Sequence, residues 1–290
     1  MRILVTGGTG FVGANVARDL ARSGHEVIAT RHARAPVAIP GVAWEPLSLE
    51  TPALPAHVEA VVHCAAIATV SACEADPARA ERVNVEGTRR LALETAARGI
   101  PFVLASTDLV FDGSAPPYAE RDVPTPASIY AHTKARAERA ALEAHPHAHV
   151  LRLALVVGAH LDRAGGFLAW TLDALREGRA LPLYTSQRRT PLFVGDVANV
   201  AEAACARRLA PGIYHLASEQ TFTREEIGRL VARTFGLPED AIVPTPFTRA
   251  GTLVTDDTTL RIDALRAAIG FSPTPLAEAL SRVRRSLAPP

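Results

Sequence analysis

Val5-Thr6-Gly7-Gly8-Thr9-Gly10-Phe11-Val12-Gly13 completes the apolar run Ile3-Leu4-Val5 and opens a helix-like segment from Phe11 to Arg22. The order is strand, glycine turn, helix. Glycines at 7, 10 and 13 allow a tight turn, a close approach of backbone to a pyrophosphate, and close packing of the new helix on the sheet. The helix's unpaired N–H groups then face phosphates, and the implied ligand is a dinucleotide. Gly24 and the second apolar run Glu26-Val27-Ile28-Ala29 supply the context in which such a turn carries meaning.

The chain has 290 residues, 48% of them hydrophobic, and a formal net charge of +1, which is ample for a packed core and argues against nucleic-acid or membrane-surface partners. No window reaches the ~20 uninterrupted apolar residues of a membrane span. Met1-Arg2-Ile3 runs straight into a core strand, leaving no room for a signal peptide, so a cytoplasmic location is expected. Cys64, Cys73 and Cys205 are odd in number and lack C-x-x-C spacing, which points to buried reduced thiols rather than a disulfide framework or a zinc site. His145, His147 and His149 cluster around Pro146 without metal-ligand context and read as surface imidazoles, so no metal is expected; Trp44 and Trp170 read as core.

Short apolar runs (2–6, 27–30, 60–64, 102–106, 150–155) alternate with helix-like stretches at 11–22, 76–98 and 128–144. That rhythm predicts an α/β fold with a Rossmann-type, doubly wound parallel sheet, whose ligands bind beyond the strands' carboxyl ends. After about residue 155 the rhythm weakens. The expected division is a dinucleotide-binding domain of residues 1–157 plus about 192–217, and a smaller, mostly helical substrate lobe of about 158–191 and 218–290.

Function should then concentrate just after each strand. Tyr130 and Lys134 stand at i and i+4 on one face of a predicted helix. A phenol with an ordinary pKa near ~10 is a poor acid–base catalyst at neutral pH, and a neighbouring ammonium favours the phenolate. Ser106 and Thr107 place hydroxyls where the apolar strand 102–104 ends, suited to holding a substrate carbonyl oxygen.

Taken together these stretches resemble the extended short-chain dehydrogenase/reductase family. Thr6 to Gly13 matches its T-G-x-x-G-x-x-G, and Thr107, Tyr130 and Lys134 fall on its Ser/Thr, Tyr and Lys. His63-Cys64-Ala65-Ala66 is similar to the stretch where backbone passes the cofactor, and Asn84-Val85-Glu86-Gly87-Thr88 to the segment whose Asn supports the active-site Lys through water. Arg152 to Gly158 resembles its R-x-x-x-V-x-G strand. The resemblance implies hydride transfer between a nicotinamide and a carbonyl carbon. Tyr130 passes the proton, Thr107 orients the oxygen, and Lys134 binds the nicotinamide ribose and keeps Tyr130 acidic. Cofactor contacts are expected from Gly7, Gly10, Phe11, Val12, Gly13, Cys64, Ala65, Ala66, Asn84, Tyr130 and Lys134, and a homodimer is usual among relatives.

Cofactor choice is read at the end of the second strand, where NAD-preferring domains carry an acid. Here Thr30-Arg31-His32-Ala33-Arg34 offers two guanidinium groups for a 2′-phosphate, so NADP(H) is expected over NAD(H). At Pro46-Leu47-Ser48-Leu49, where relatives often place an Asp against the adenine, Ser48 and Leu49 are the expected contacts.

Within the family, Ser106-Thr107-Asp108-Leu109-Val110-Phe111-Asp112-Gly113 most resembles the dTDP-4-dehydrorhamnose reductase branch, which reduces a 4-keto sugar on a nucleotide. That resemblance makes Asp108, Val110 and Phe111 substrate contacts. Arg189, in Gln187-Arg188-Arg189-Thr190-Pro191, is the candidate for the substrate diphosphate, with a salt bridge between lobes as the alternative. Ala68, Ser71, Leu192 and Gly195 depart from the branch's pattern. An NADP(H)-dependent reductase of a nucleotide-activated (4-keto-6-deoxy) sugar is the leading expectation. An epimerase of the same fold stays open, as does a non-catalytic NADP-binding subunit resembling the one that regulates methionine adenosyltransferase.

Overall fold

The first strand, β1 (Arg2–Thr6), sends Ile3 and Val5 into one layer of helices and Leu4 into the other, all three fully buried. Apolar side chains on both faces require a strand interior to a sheet that is covered twice. In the computed structural model, residues 1–161, 163–248 and 255–288 are described, Arg163 and Ala164 by backbone alone. The expected substrate lobe extends over 162, 249–254 and 289–290, which lie outside the described residues.

Beside β1 run β2 (Glu26–Arg31), β3 (Val42–Pro46), β4 (Ala60–His63), β5 (Phe102–Thr107), β6 (His149–Leu153) and β7 (Gly212–Leu216). All seven pair in parallel in the order β7-β6-β5-β4-β1-β2-β3. The chain winds outward from β1 to β3, returns to β4 on the other side of β1, and winds outward again. The crevice above the carboxyl ends of β1 and β4 is therefore the topological switch point, where such sheets bind ligands.

Helix α1 (Phe11–Arg22) buries Val16 and Leu20 against one face of the sheet, while α2 (Gly87–Ala97) and α3 (Ile129–Ala144) bury Leu91, Ala137 and Ala141 against the other. Each such large aliphatic contributes roughly 1.5–3 kcal/mol by leaving water. Past β6, α4 (Gly166–Arg176), α6 (Arg224–Phe235) and α7 (Leu276–Leu287) close a separate core around Leu172, Leu181, Ile227, Val231 and Leu280. Between them α5 (Val194–Cys205) and β7 return to the main sheet.

Four local expectations are corrected. Strand β3 carries no fully buried side chain and ends at Pro46, and an edge strand of that kind leaves no apolar run to read. The continuous helix expected over 76–98 is broken. A turn at Val70–Ala75, a second at Pro77–Ala80 and a π-helical turn at Glu81–Glu86 precede α2. His145 and His149, expected at the surface, are buried where their Nε2 atoms pair with the carbonyls of Ile100 and Leu209. Trp170 is 44% exposed, because Leu168, Thr171, Leu172 and Leu175 take the inward stripe of α4.

Candidate active site

The turn between β1 and α1 is built from close backbone contacts. Gly7 adopts φ +70°, and a Cβ on it would lie 2.8 Å from the backbone of Ala65; a Cβ on Gly13 would lie 2.3 Å from the carbonyl oxygen of Gly7. Only glycine fits either place. Gly10 caps α1 without a side-chain acceptor, so the first amides of the helix are left for an anion. This cradle fits a dinucleotide's diphosphate. It is braced from below by a buried chain of hydrogen bonds: Thr6 Oγ1 with His63 Nδ1 (2.6 Å), His63 Nε2 with Thr88 Oγ1 (3.0 Å), and Thr88 Oγ1 donating to the carbonyl of Asn84 (2.6 Å). Burial, and then the ammonium of Lys134, push His63 down to about 3, so its ring is neutral.

The other expected cofactor contacts are distributed unevenly. Ala65 donates its N–H to Thr6 Oγ1 and so lies against the glycine turn, with Cys64 and Ala66 on either side of it in the chain. Burial pushes the Cys64 thiol up to about 12. The ring of Phe11 packs on Gly158 and Gly165, and Val12 packs against the core, so what these two residues present at the helix start is backbone. Arg34 lines a cleft of about 210 Å³ with Gly8, Thr9, Trp44 and His160, whereas Arg31 is exposed at the end of β2 outside that lining. Ser48 accepts the N–H of Glu50, and Leu49 is buried against Gly87, where a Cβ would meet its carbonyl at 2.7 Å. Asn84 holds Ile67 by both its N–H and its carbonyl and donates to Thr133 Oγ1, one residue from Lys134.

Thr107, Tyr130 and Lys134 come together at the carboxyl end of β5. Ser128 caps α3 by accepting the N–H of Ala131, and Glu74 accepts that of Ile129, which fixes Tyr130 in the helix's first turn. Lys134, one turn on, is 4% exposed and donates Nζ to the carbonyl of Ala105 at 2.8 Å. Burial pulls its ammonium down to about 8, opposed by the carboxylate of Glu138. Burial and then the carboxylate of Asp108 push the Tyr130 phenol well above its ordinary value, against a hydrogen bond with Thr107 that pulls it down. The expected lowering by Lys134 is not found in this arrangement, where the one lowering influence is the bond with Thr107: the phenol is a firm proton holder.

The lobe side revises the expected substrate contacts. Asp108 accepts from Thr107 Oγ1 (3.2 Å) and from Thr258 Oγ1 (2.6 Å), linking the candidate catalytic hydroxyl to the second lobe. Val110 and Phe111 are fully buried, and Phe111 stacks on Tyr118 at 4.1 Å beneath the Arg152 guanidinium, so both side chains are engaged in the core. Arg189 is 1% exposed, and its guanidinium is committed to the carbonyls of Arg188, Asp256 and Thr255 and to Thr255 Oγ1. It makes neither a lobe-bridging ion pair among the described residues nor an open fork. Its neighbour Arg224, at the start of α6, donates Nε to Gln187 and lies 4.7 Å from the Phe167 ring centre, but its buried Nη1 has no partner. Burial and then the charge of Arg189 lower it to about 9, against the carboxylate of Asp108.

Two features escaped the sequence reading. Lys134 is the single lysine among 31 lysine and arginine residues, a compositional signal that singles it out at once. Glu138, a further turn along α3, is buried with Arg152 and Ser106; the i+4 spacing from Lys134 was there to be read. Two large cavities lie elsewhere: about 740 Å³ at the amino ends of the strands, beside Pro101 and His149, and about 760 Å³ along the outer side of α3, beside His132 and Arg136.

The family described as the RmlD substrate binding domain matches residues 1–288. The chain belongs to this family. Its membership agrees with the extended short-chain dehydrogenase/reductase character of the fold. The chain is similar to a probable low-salt glycan biosynthesis reductase, Agl14, of Haloferax volcanii, at 33% identity over 81% of each chain. It is also similar to methionine adenosyltransferase 2 subunit beta of Xenopus tropicalis, at 31% identity over 84% of this chain and 75% of that one. Among solved structures, MoeE5 in complex with UDP-glucuronic acid and NAD superimposes with a TM-score of 0.84 at 25% identity, covering 99% of this chain and 98% of the other. Among the described residues, no helix of this RmlD-family chain is long and apolar enough to cross a membrane.

Proposed function

We propose that this chain is an NADP(H)-dependent reductase of a keto group on a nucleotide-activated sugar, of the 4-keto-6-deoxy class. The observation that carries the reading is the meeting of Thr107, Tyr130 and the buried Lys134 beside an uncapped helix start whose glycines leave room for a diphosphate. Family membership and the likeness to a glycan biosynthesis reductase support it, as does the nucleotide sugar bound by MoeE5.

A bound nicotinamide supplies the hydride, and this chain's residues do the rest. Gly7, Gly10 and Gly13 seat the diphosphate against the start of α1. Arg34, in a cleft with Gly8 and Thr9, meets the 2′-phosphate, and no acid stands at the end of β2 to repel it. Thr107 orients the carbonyl oxygen. Tyr130, protonated at neutral pH, gives its proton to that oxygen, and the Lys134 ammonium stabilises the phenolate left behind. Arg224 Nη1, rather than Arg189, meets the substrate's phosphates.

A non-catalytic regulatory subunit is the second reading, favoured by the likeness to methionine adenosyltransferase 2 subunit beta. One experiment separates the two: NADPH consumption over a panel of nucleotide 4-keto sugars, with wild type and Tyr130→Phe. The reductase reading requires turnover that Tyr130→Phe abolishes while NADPH still binds. Tight NADPH binding without turnover on any sugar would pass the weight to the regulatory reading.

A further inference from the structure

We infer that the buried Arg152–Glu138–Ser106 cluster is a positioning device that holds Lys134 at the site as an ammonium ion. Arg152 Nε lies 3.1 Å from each oxygen of Glu138, Arg152 Nη2 donates to Oε2 at 2.8 Å, and Ser106 donates its hydroxyl to Oε1. Arg152 is fixed in turn by the carbonyl of Glu120 (3.3 Å), by His215 Nε2 (3.4 Å) and by the Phe111 ring. Ser106 stands between Ala105, whose carbonyl accepts from Lys134, and Thr107. The cluster therefore fixes both the strand end that receives the ammonium and the charge that faces it.

The ammonium needs that charge. Among the described residues it has no carboxylate within ion-pair distance, and burial alone favours its neutral form. Glu138 faces it from its own helix, and Cys64 and His63 from the segment at the end of β4. The thiol, pushed up to about 12, and the imidazole, pushed down to about 3, are both uncharged at neutral pH. Glu138 is thus the group that opposes the burial. A buried ion pair is weak as a stabiliser, since apolar residues of similar volume often do as well. Its place behind the single lysine gives it a different use. Arginine serves every other position in the lysine and arginine set, but a guanidinium stays charged even when buried, whereas burial brings a lysine toward neutrality.

This inference rests on the reading that Lys134 belongs to the reaction site, yet its test needs no substrate. Protein grown with 13C-labelled lysine carries one labelled side chain, whose ε-carbon shift against pH reports the Lys134 titration directly. Wild type should titrate near the expected value of about 8. Glu138→Gln should lower the midpoint by about one pH unit or more, a tenfold loss of proton affinity, and Glu138→Asp should restore most of it. Glu138→Gln leaves a buried guanidinium unpaired and has a reason to unfold. Glu138→Gln/Arg152→Met removes both charges, and should fold and show a smaller lowering. A folded single or double variant within about 0.3 unit of wild type would overturn the inference. A titration that moves as expected, in a protein that turns over no sugar, would sink the proposed reaction and leave this inference standing.

Discussion

The ammonium of Lys134 lies 2.8 Å from the carbonyl oxygen of Ala105 and has no other hydrogen bond among the described residues. The site thus holds a cation at a cost to the fold. Its proton affinity falls from the ordinary 10.5 to about 8, equivalent to about 3 kcal/mol. The folded pKa lies below the unfolded one, so the contribution of Lys134 to stability is greatest above 10.5 and is lost as pH falls through 8. Lys134→Met should therefore be more stable than wild type at pH 7, by about 2 kcal/mol once the unpaired Ala105 carbonyl is counted. Denaturant unfolding at pH 7 and above 10.5 checks this: the advantage should shrink at the higher pH, while activity is absent at both.

His63 and His215 make the opposite end of the pH range costly. Burial first, then Lys134 for His63 and Arg152 for His215, hold both rings neutral down to about 3. Their stabilising contribution is complete above the ordinary pKa of 6.5 and is lost as pH falls toward 3. Each adds about 1.4 kcal/mol per pH unit to the slope between those limits. His63→Asn should remove one such increment, flattening the dependence measured between pH 6 and 4. It should also loosen the turn, because Thr6 and Thr88 lose the ring that joins them.

What was legible in the sequence is what is local. Gly7, Gly10 and Gly13, and Tyr130 with Lys134, lie within one turn or one helix, so spacing alone carries their geometry. Which arginine is free is not local: Arg189 and Arg224 both stand near polar stretches, and the choice is made by the carbonyls of Thr255 and Asp256, more than sixty residues beyond Arg189. Val110 and Phe111 follow the candidate catalytic Thr107 so closely that they read as pocket lining. Tyr118, Arg152 and His215 enclose Phe111 from other parts of the chain. Strand β3 escaped notice because an edge strand needs no apolar run.

Arg34 and Arg31, equal in the sequence, should differ in effect. Arg34 shares a cleft with Gly8, Thr9 and Trp44, and Arg31 does not. A charge-assisted bond to a phosphate is worth about 1.5–3 kcal/mol. Arg34→Ala should therefore weaken NADPH binding by about tenfold or more while leaving NADH within about twofold, and Arg31→Ala should do much less. Fluorescence titration with both cofactors measures the ratio, and equal losses for NADPH and NADH would count against the 2′-phosphate assignment.

Arg224 offers the sharpest test of substrate class. A buried guanidinium nitrogen without a partner is costly, and a second guanidinium beside it adds repulsion; both are relieved when an anion arrives. A phosphate suits that place, because both terminal nitrogens of Arg189 are already committed and the Phe167 ring covers one face of Arg224. Arg224→Gln should then leave the ligand-free protein as stable as wild type or more so. With dTDP or UDP as the probe, calorimetry should show binding weakened by about tenfold or more, with NADPH affinity unchanged. Arg189→Gln should instead unfold at lower temperature, because it strips the carbonyls of Thr255 and Asp256 of their donors. If both nucleoside diphosphates bind Arg224→Gln as well as they bind wild type, the phosphate assignment fails, and Arg224 is a lobe residue held by Gln187 and Phe167.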